Sequence, residues 1–160
     1  MFSLLFDHRT ARTLVFLQYL FALAVIQAIK CIPGLSDFPI FIKWPNDIYV
    51  RSGKKLLKVG GILLTSSYER GVFRVVLGCG LNVTNPQPTL SLFHVAKELG
   101  LPVADLSRET VLAIILTQFD AMYRVFESEE SFEPFLDLYH DSWLHGYYIL
   151  EKPHIKVANK

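Results

Sequence analysis

Residues 40–82 read I-F-I-K-W-P-N-D-I-Y-V-R-S-G-K-K-L-L-K-V-G-G-I-L-L-T-S-S-Y-E-R-G-V-F-R-V-V-L-G-C-G-L-N. β-Branched and aromatic residues form short runs here, and turn residues such as Pro45-Asn46-Asp47 separate them. Neighbouring strands joined by short turns pair antiparallel, because a parallel pair needs a long crossover connection. The stretch therefore predicts a β-meander with a polar loop at 51–55 and strands at 40–44, 48–50, 59–66 and 72–77.

Helices are predicted after the meander, over 92–99, from Ser107, and from near Ser131 to Gly146. Ser107 suits a helix N-cap, and apolar residues recur after it at helical spacing. That apolar face consists of Val111, Ile115, Phe119, Met122 and Phe126. The last helix is expected to turn inward Phe135, Leu138 and Tyr139. A further strand is predicted at 2–6. Helices and strands thus occupy separate runs, which indicates an α+β class with a mixed or antiparallel sheet packed with helices.

A helix predicted over 13–31 contains the apolar run 14–29, with Arg12 before it and Lys30 after it. The run is shorter than the roughly 20 residues that span a bilayer, and Gln18 and Gln27 interrupt it. A helix that is apolar nearly all round is otherwise a buried core helix. We therefore expect a core helix and no membrane association, while a targeting or anchoring segment is the alternative.

The composition excludes several classes of protein. Apolar residues make up 51% of the 160-residue chain and charged residues 19%, which is unlike a disordered chain. Lys and Arg number 16 against 15 Asp and Glu, so no strong net charge recruits nucleic acid. The two cysteines, Cys31 and Cys79, lack the spacing of a metal site or a disulfide scaffold. A reducing, cytoplasmic compartment is expected.

The first motif of interest is K-W-P-N-D at 43–47. Pro45 fixes its own φ and pushes Trp44 toward extended geometry, so the turn should be rigid. A rigid turn that carries an amide and a carboxylate suits ligand binding, and Asp47 could bind Mg²⁺ through oxygen. The same residues also fit an ordinary turn in which Asn46 and Asp47 cap backbone N–H groups.

The second motif is K-V-G-G-I-L at 58–63. Glycines inside a strand often mark the close approach of a ligand or another backbone, here at Gly60 and Gly61. A lysine just before them, Lys58, can direct its ammonium toward a phosphate or a carbonyl on which charge develops. The alternative is a solvated basic hairpin, because four cations fall within 51–58.

The third motif is G-C-G-L-N-V at 78–83. It lacks the third glycine of a dinucleotide-binding fingerprint and the Gly-Lys-Ser/Thr of a P-loop. It is typical of a strand end where small residues admit a ligand and Asn82 offers an amide. Tight structural packing is the alternative interpretation.

Taken together, K-W-P-N-D-I at 43–48, K-V-G-G-I-L at 58–63 and G-C-G-L-N-V at 78–83 resemble the catalytic core of the biotin protein ligases, also called holocarboxylase synthetases. The resemblance covers roughly residues 1–146 and implies a truncated form of the class II synthetase-like biotin/lipoate ligase fold. It implies an ATP-dependent ligase that forms biotinyl-AMP and then transfers biotin to a lysine of a carboxylase carrier domain. Lipoate ligases share the fold, and the full motif strings favour biotin.

The resemblance also implies roles for individual residues. Lys58 would be the catalytic lysine that touches the biotin carbonyl and the phosphate of the adenylate. Asp47 and Asn82 would help to place the phosphates and Mg²⁺. The implied contacts with nucleotide and biotin come from Trp44, Asn46, Lys58, Gly60, Gly61 and Asn82. The implied partners are the biotin-accepting domains of carboxylases, with no nucleic acid and no membrane.

The sequence departs from the family pattern in three places. The family's glycine- and arginine-rich loop and its biotin-holding strand lie upstream of the segment that resembles 2–6, so we expect this chain to lack the biotin-binding segment. Residues 147–160 are expected to begin a C-terminal β domain that is cut short. The loop at 50–57 is longer and more basic than the pattern requires. A non-catalytic remnant with the nucleotide half of the site and a lipoate ligase relative remain the alternatives.

Overall fold

The computed structural model describes residues 1–104 and 106–145. Five strands form one sheet in the order β1-β5-β4-β3-β2, and every neighbouring pair is antiparallel. The strands are β1 (Phe2–His8), β2 (Ile40–Lys43), β3 (Asp47–Ser52), β4 (Lys55–Glu69) and β5 (Val72–Leu81). The helices are α1 (Leu17–Lys30), α2 (Leu92–Glu98), α3 (Arg108–Glu129) and α4 (Leu136–Ser142). The predicted α+β class is confirmed.

The sheet has one face covered by helices and one open face. Side chains alternate along β5, so that Val75 and Leu77 are buried under the helices while Val76 and Gly78 lie on the open face. α1 packs against the covered face and against α3 and α4. A ligand can therefore approach the strands directly from the open face.

The meander is confirmed, but the loop predicted at 51–55 is wrong. Ser52 pairs with Lys55, and only Gly53 and Lys54 lie between β3 and β4. Gly53 has a φ of 57°, which suits a tight hairpin turn. The longer loop predicted at 50–57 is likewise wrong, because most of it is paired strand. One face of this hairpin is exposed to solvent and carries polar side chains. These polar residues have the composition of a loop, which is why the sequence predicted one.

The helix predicted over 13–31 is α1, preceded by a 3-10 segment over Ala11–Phe16. Ten residues of α1 have no exposed surface, whereas Gln18 and Gln27 stay partly exposed, so the prediction of a buried helix is confirmed for α1. Within 1–104 and 106–145, Ala11–Lys30 is the one helical segment long and apolar enough to cross a membrane, and 61% of its most apolar window is buried inside the domain.

The downstream helices follow the predicted pattern with one error. Ser107 caps α3 by accepting a hydrogen bond from the Thr110 N–H at 3.0 Å, and the five predicted apolar residues of α3 are all buried. In α4, the prediction that Leu138 faces inward is wrong, because 39% of its surface is exposed. The predicted helix end at Gly146 and the predicted β domain at 147–160 lie outside the described residues.

A buried histidine joins β1 to α3. His8 is 2% exposed, and its Nε2 lies 2.9 Å from the Thr13 hydroxyl while its Nδ1 lies 3.1 Å from the Tyr123 hydroxyl. Thr13 donates its hydroxyl hydrogen to the Thr10 carbonyl, so it accepts from Nε2–H, and Nδ1 accepts from Tyr123. Both ring nitrogens are therefore satisfied by a neutral imidazole.

We expect His8 to make the domain less stable in mild acid. Burial is the largest influence on the pKa of His8 and lowers it; a hydrogen bond with the Thr10 backbone and the charge of Glu127 act in the opposite direction. The unfolded chain then binds the proton more readily, so the free energy of unfolding falls as the pH drops below the ordinary histidine pKa of about 6.5. Urea unfolding at about pH 7.5 and 5.5 should show a smaller pH dependence for His8→Gln than for the wild type. An unchanged pH dependence would contradict this expectation.

Candidate functional site

The turn between β2 and β3 is fastened to β4 by Asn46. The Asn46 side-chain amide donates to the Ile62 carbonyl at 2.8 Å, and the Asn46 carbonyl accepts from the Ile62 N–H at 2.8 Å. Gln18 at the start of α1 also donates to the Pro45 carbonyl at 3.4 Å. These bonds hold the turn against the sheet and set the position of the next residue, Asp47.

A β-bulge decides which face Lys58 occupies. Tyr49 pairs with Lys58 and Ile48 pairs with Gly60, so Val59 is an extra residue in β4. Strict alternation would put Lys58 and Gly61 on opposite faces, because their separation is odd. The extra residue brings both onto the open face. Val59 and Ile62 are buried on the other face.

Lys58 and Asp47 form an ion pair on this open face. Lys58 Nζ lies 2.7 Å from Asp47 Oδ1, with the lysine side chain about half exposed and the aspartate side chain less so. Gly61 leaves the room that the pair occupies, since a Cβ at this position would lie 3.2 Å from Asp47 Oδ1 and 3.8 Å from Lys58 Cε. The two charged groups therefore lie directly over Gly61, where any side chain would crowd them.

The ion pair lies at one end of a cleft of about 460 Å³ on the open face. Asn46, Asp47, Lys58 and Gly61 make this end polar, and these four predicted residues are brought together here. The rest of the cleft is lined largely by small or apolar residues, among them Leu63, Val76, Gly78 and Gly80. A concave site with apolar walls and a few convergent polar groups is typical of a small-molecule site.

Asn82 lies in an adjoining cleft of about 430 Å³, which shares Met1 and Gly80 with the first. The Asn82 N–H donates to the Val59 carbonyl at 2.8 Å, and the Asn82 carbonyl accepts from the Leu92 N–H at 2.9 Å. Its backbone therefore ties β5 to α2. The two residues predicted to place Mg²⁺, Asp47 and Asn82, line neighbouring clefts. Within the described residues, no group of three or more His, Cys, Asp or Glu side chains could hold a metal ion.

Trp44 and Gly60 line neither of these two clefts. Trp44 is 58% exposed, and its indole N–H donates to the Tyr19 hydroxyl at 3.2 Å. A Cβ at Gly60 would lie only 2.6 Å from the Gly80 carbonyl oxygen. Gly60 therefore permits the close approach of β4 and β5, which is a structural requirement.

The sequence analysis missed Arg108, which lines the second cleft beside Asn82. Arg108 is the first residue of α3, directly after the Ser107 cap. A cation at a helix N-terminus is unfavourable, because the helix dipole places partial positive charge there. The arginine at this position could have indicated a functional role from the sequence, because it does not stabilise the helix.

Cys79 forms part of the wall of the first cleft but is not suited to be a nucleophile. Its side chain is buried, and burial raises the pKa of its thiol to about 11. The thiolate is the nucleophilic form of cysteine, and at neutral pH this thiol stays protonated. Cys79 is a small buried side chain that fills space in the core.

Comparisons with known proteins show which family this chain resembles. The sequence model of the biotin/lipoate A/B protein ligase family matches residues 1–82. The chain is 41% identical over 143 residues to the biotin–protein ligase of Schizosaccharomyces pombe, covering 81% of this chain and 22% of that protein. It is 38% identical over 149 residues to biotin–protein ligase 2 of Arabidopsis thaliana, covering 91% of this chain and 44% of that protein. The chain thus spans less than half the length of these relatives.

A solved structure has the same fold. The biotin protein ligase of Leishmania major in complex with biotinyl-5-AMP superimposes with a TM-score of 0.62 at 18% identity, covering 99% of this chain and 65% of that one. At this level of identity the similarity concerns the fold alone.

Proposed function

Because this chain belongs to the biotin/lipoate A/B protein ligase family, we propose that it is the catalytic part of an ATP-dependent biotin–protein ligase. The observation that carries the proposal is the Lys58–Asp47 pair, 2.7 Å apart at the polar end of an otherwise largely apolar cleft. We place biotin along the apolar walls at Leu63 and Gly78. The nucleotide then extends toward Asn82 and Arg108 in the adjoining cleft.

The proposed reaction has two steps. In the first, an oxygen of the biotin carboxylate attacks the α-phosphorus of ATP, and pyrophosphate leaves with the electron pair of the broken P–O bond. In the second, the amine of an acceptor lysine attacks the acyl carbonyl, AMP leaves, and the amine loses a proton. Negative charge passes between carboxylate and phosphate in the first step, and a positioned ammonium such as that of Lys58 stabilises it.

The ion pair also suggests how substrates are received. Lys58 and Asp47 neutralise each other in the free protein, so neither charge is left without a partner. A magnesium nucleotide offers a partner to each of them, since its phosphates attract Lys58 and its cation attracts Asp47. Mg²⁺ prefers one or two carboxylates together with substrate phosphates, and a single aspartate beside a nucleotide cleft fits that preference.

The function is tested by joining the family's upstream biotin-binding segment to the chain, incubating the protein with ATP, Mg²⁺ and biotin, and measuring pyrophosphate release and biotinyl-AMP. We expect release only when biotin is present, and lipoate should not replace it. A non-catalytic remnant would bind ATP without any biotin-dependent release. A lipoate ligase relative would show the opposite substrate preference. Either of these results would overturn the proposal.

We expect Asp47→Asn to weaken the binding of ATP in the presence of Mg²⁺ by roughly tenfold, equivalent to about 1.4 kcal/mol. The substitution keeps the size of the side chain and removes the charge that attracts the cation. In EDTA the loss of affinity should disappear in calorimetry, because no cation then links Asp47 to the phosphates and an asparagine at this position no longer neutralises Lys58. Asp120→Asn is the control, because Asp120 also forms an ion pair, with Arg124 at 2.9 Å, on the outside of α3. Equal effects of the two substitutions would contradict a role for Asp47.

We propose a cytoplasmic ligase that acts on the biotin-accepting domains of carboxylases. The burial of α1 and the free thiols of Cys31 and Cys79 support this compartment.

A further inference from the structure

The floor of the first cleft consists of strand backbone without side chains. On the open face of β5, Gly78 and Gly80 occupy successive positions, and Gly61 of β4 pairs with Gly80. Ser3 of β1 and Leu63 of β4 pair with Gly78 and flank it on its two sides. All five residues line the cleft, which is therefore a trough that runs along β5.

The fold itself does not require glycine at two of these positions. A Cβ at Gly78 would lie 3.7 Å from the Leu63 carbonyl oxygen, and a Cβ at Gly80 would lie 3.9 Å from Met1 Cε, which are ordinary contact distances. Neither residue has the positive φ that favours glycine. Glycine weakens a strand and often marks the close approach of a ligand. The space over Gly78 and Gly80 therefore fits a bound molecule better than a packing requirement.

Val76 ends this trough. It precedes Gly78 on the open face of β5, is 41% exposed, and pairs with Thr65 of β4, which also lines the cleft. Arg74, the next residue along the same face, is not part of the lining. Val76 and Thr65 are both β-branched, so their side chains are stiff at χ1 and hold their positions. These two side chains are called the end wall below.

The end wall lies at a fixed distance from the ion pair. Asp47 pairs with Gly61, and Gly61 pairs with Gly80. The contact of Asp47 with Lys58 is therefore level with Gly80 along β5. The four residues of antiparallel strand from Gly80 to Val76 span about 14 Å. A carboxylic acid whose carboxylate faces Lys58 thus has a bounded length in which to place its apolar body.

The other direction along β5 leads to the nucleotide side of the proposed site. Asn82 directly follows β5 and lines the adjoining cleft. An acid and a nucleotide whose reacting groups meet at Lys58 would therefore extend to opposite sides of it. Val76 bounds the side of the acid alone.

We propose that Val76 is a specificity-determining residue, which limits the length of the acid that fits between Lys58 and the end wall. This inference rests on the proposed function, because it concerns the choice of acid in that reaction. Biotin carries its rings on an unbranched acid chain, so one more methylene in the chain would drive the rings against Val76. One extra methylene in a fitted pocket changes kcat/KM by about 10–200-fold.

The test uses the joined protein of the functional test and three acids: biotin and its homologues with one methylene more or one fewer in the chain. The wild type should prefer biotin to the longer acid by roughly 10–200-fold in kcat/KM for pyrophosphate release. Val76→Ala removes two methyl groups from the end wall and should reduce this preference to less than about fivefold. Val76→Phe should lower kcat/KM for biotin by at least about tenfold and affect the shorter acid less.

Val125→Ala is the matched control, because Val125 is 45% exposed, lies on α3 and lines neither cleft. It removes the same atoms as Val76→Ala and should keep the preference of the wild type. Thermal unfolding is measured on every variant. Val76→Phe should fold like the wild type, since an aromatic side chain suits a half-exposed strand position.

An unchanged preference in Val76→Ala would overturn the inference, as would an equal change in Val125→Ala. Equal losses for biotin and the shorter acid in Val76→Phe would have the same consequence. Calorimetry without ATP measures the affinities of the three acids separately, and equal affinities in the wild type would also contradict a length limit. Affinities that follow the expected pattern without any pyrophosphate release would overturn the proposed function and leave the role of Val76 standing.

Discussion

Replacing Lys58 with Gln should lower the rate of biotin-dependent pyrophosphate release by roughly 10²–10³, the range for losing one preorganised electrostatic group. Glutamine keeps most of the length of the side chain and removes the charge that would face the carboxylate and the α-phosphate. The stability of the fold should change little, because the Lys58–Asp47 pair is partly exposed and exposed ion pairs contribute about 0–1 kcal/mol. Initial rates and thermal unfolding measured on the same preparations separate the two effects.

Lys97→Gln is the control for Lys58→Gln, since it removes an exposed lysine charge on α2. It should leave the rate of pyrophosphate release unchanged within about twofold, because exposed charges remote from a site contribute little. If both substitutions had the same small effect, Lys58 would be an ordinary solvated cation and the catalytic role would be wrong.

The second large effect is expected inside α1. Val25 has no exposed surface, whereas Val15 is 64% exposed at the start of the same apolar run. Val25→Ala should lower the free energy of unfolding by roughly 2–3 kcal/mol, from lost burial and the cavity left behind. Val15→Ala should change it by less than about 0.5 kcal/mol. Urea unfolding of the two variants measures both values.

The valine pair also tests the alternative interpretation of α1. The two substitutions remove the same atoms. Any difference between their effects on the free energy of unfolding therefore comes from the environment of each side chain. In a membrane segment both valines would contribute similarly to the hydropathy of the run. Small and equal effects on unfolding would therefore contradict the buried core helix.

Local features of the fold could be predicted well, because they depend on neighbouring residues. Periodicity indicated the buried face of α3, and a serine followed by that pattern indicated the cap at Ser107. The hairpin at 51–55 could not be predicted in the same way. Its strands have a solvated face, and the polar residues there resemble a loop in composition. The exposure of Leu138 could not be predicted either. Because α4 is short, the elements that pack against it decide which of its side chains are buried.

The candidate site could be predicted only in part. The three motifs indicated Asn46, Asp47 and Lys58 by residue type and spacing. Arg108 escaped because it lies 26 positions beyond Asn82, outside every motif. The packing of α3 against the rest of the domain brings it to the second cleft, and no local pattern contains that information.

By itself the sequence determined which chemical groups the protein offers and that short turns would bring them to one antiparallel sheet. A lysine before paired glycines, a rigid turn with an amide and a carboxylate, and a buried apolar helix follow from local residue chemistry. Only the tertiary structure decided that Lys58 meets Asp47 over Gly61 and that Asn82 lies in the adjoining cleft. The physical reason is the bulge at Val59, because one extra residue in a strand reverses the face of every side chain beyond it.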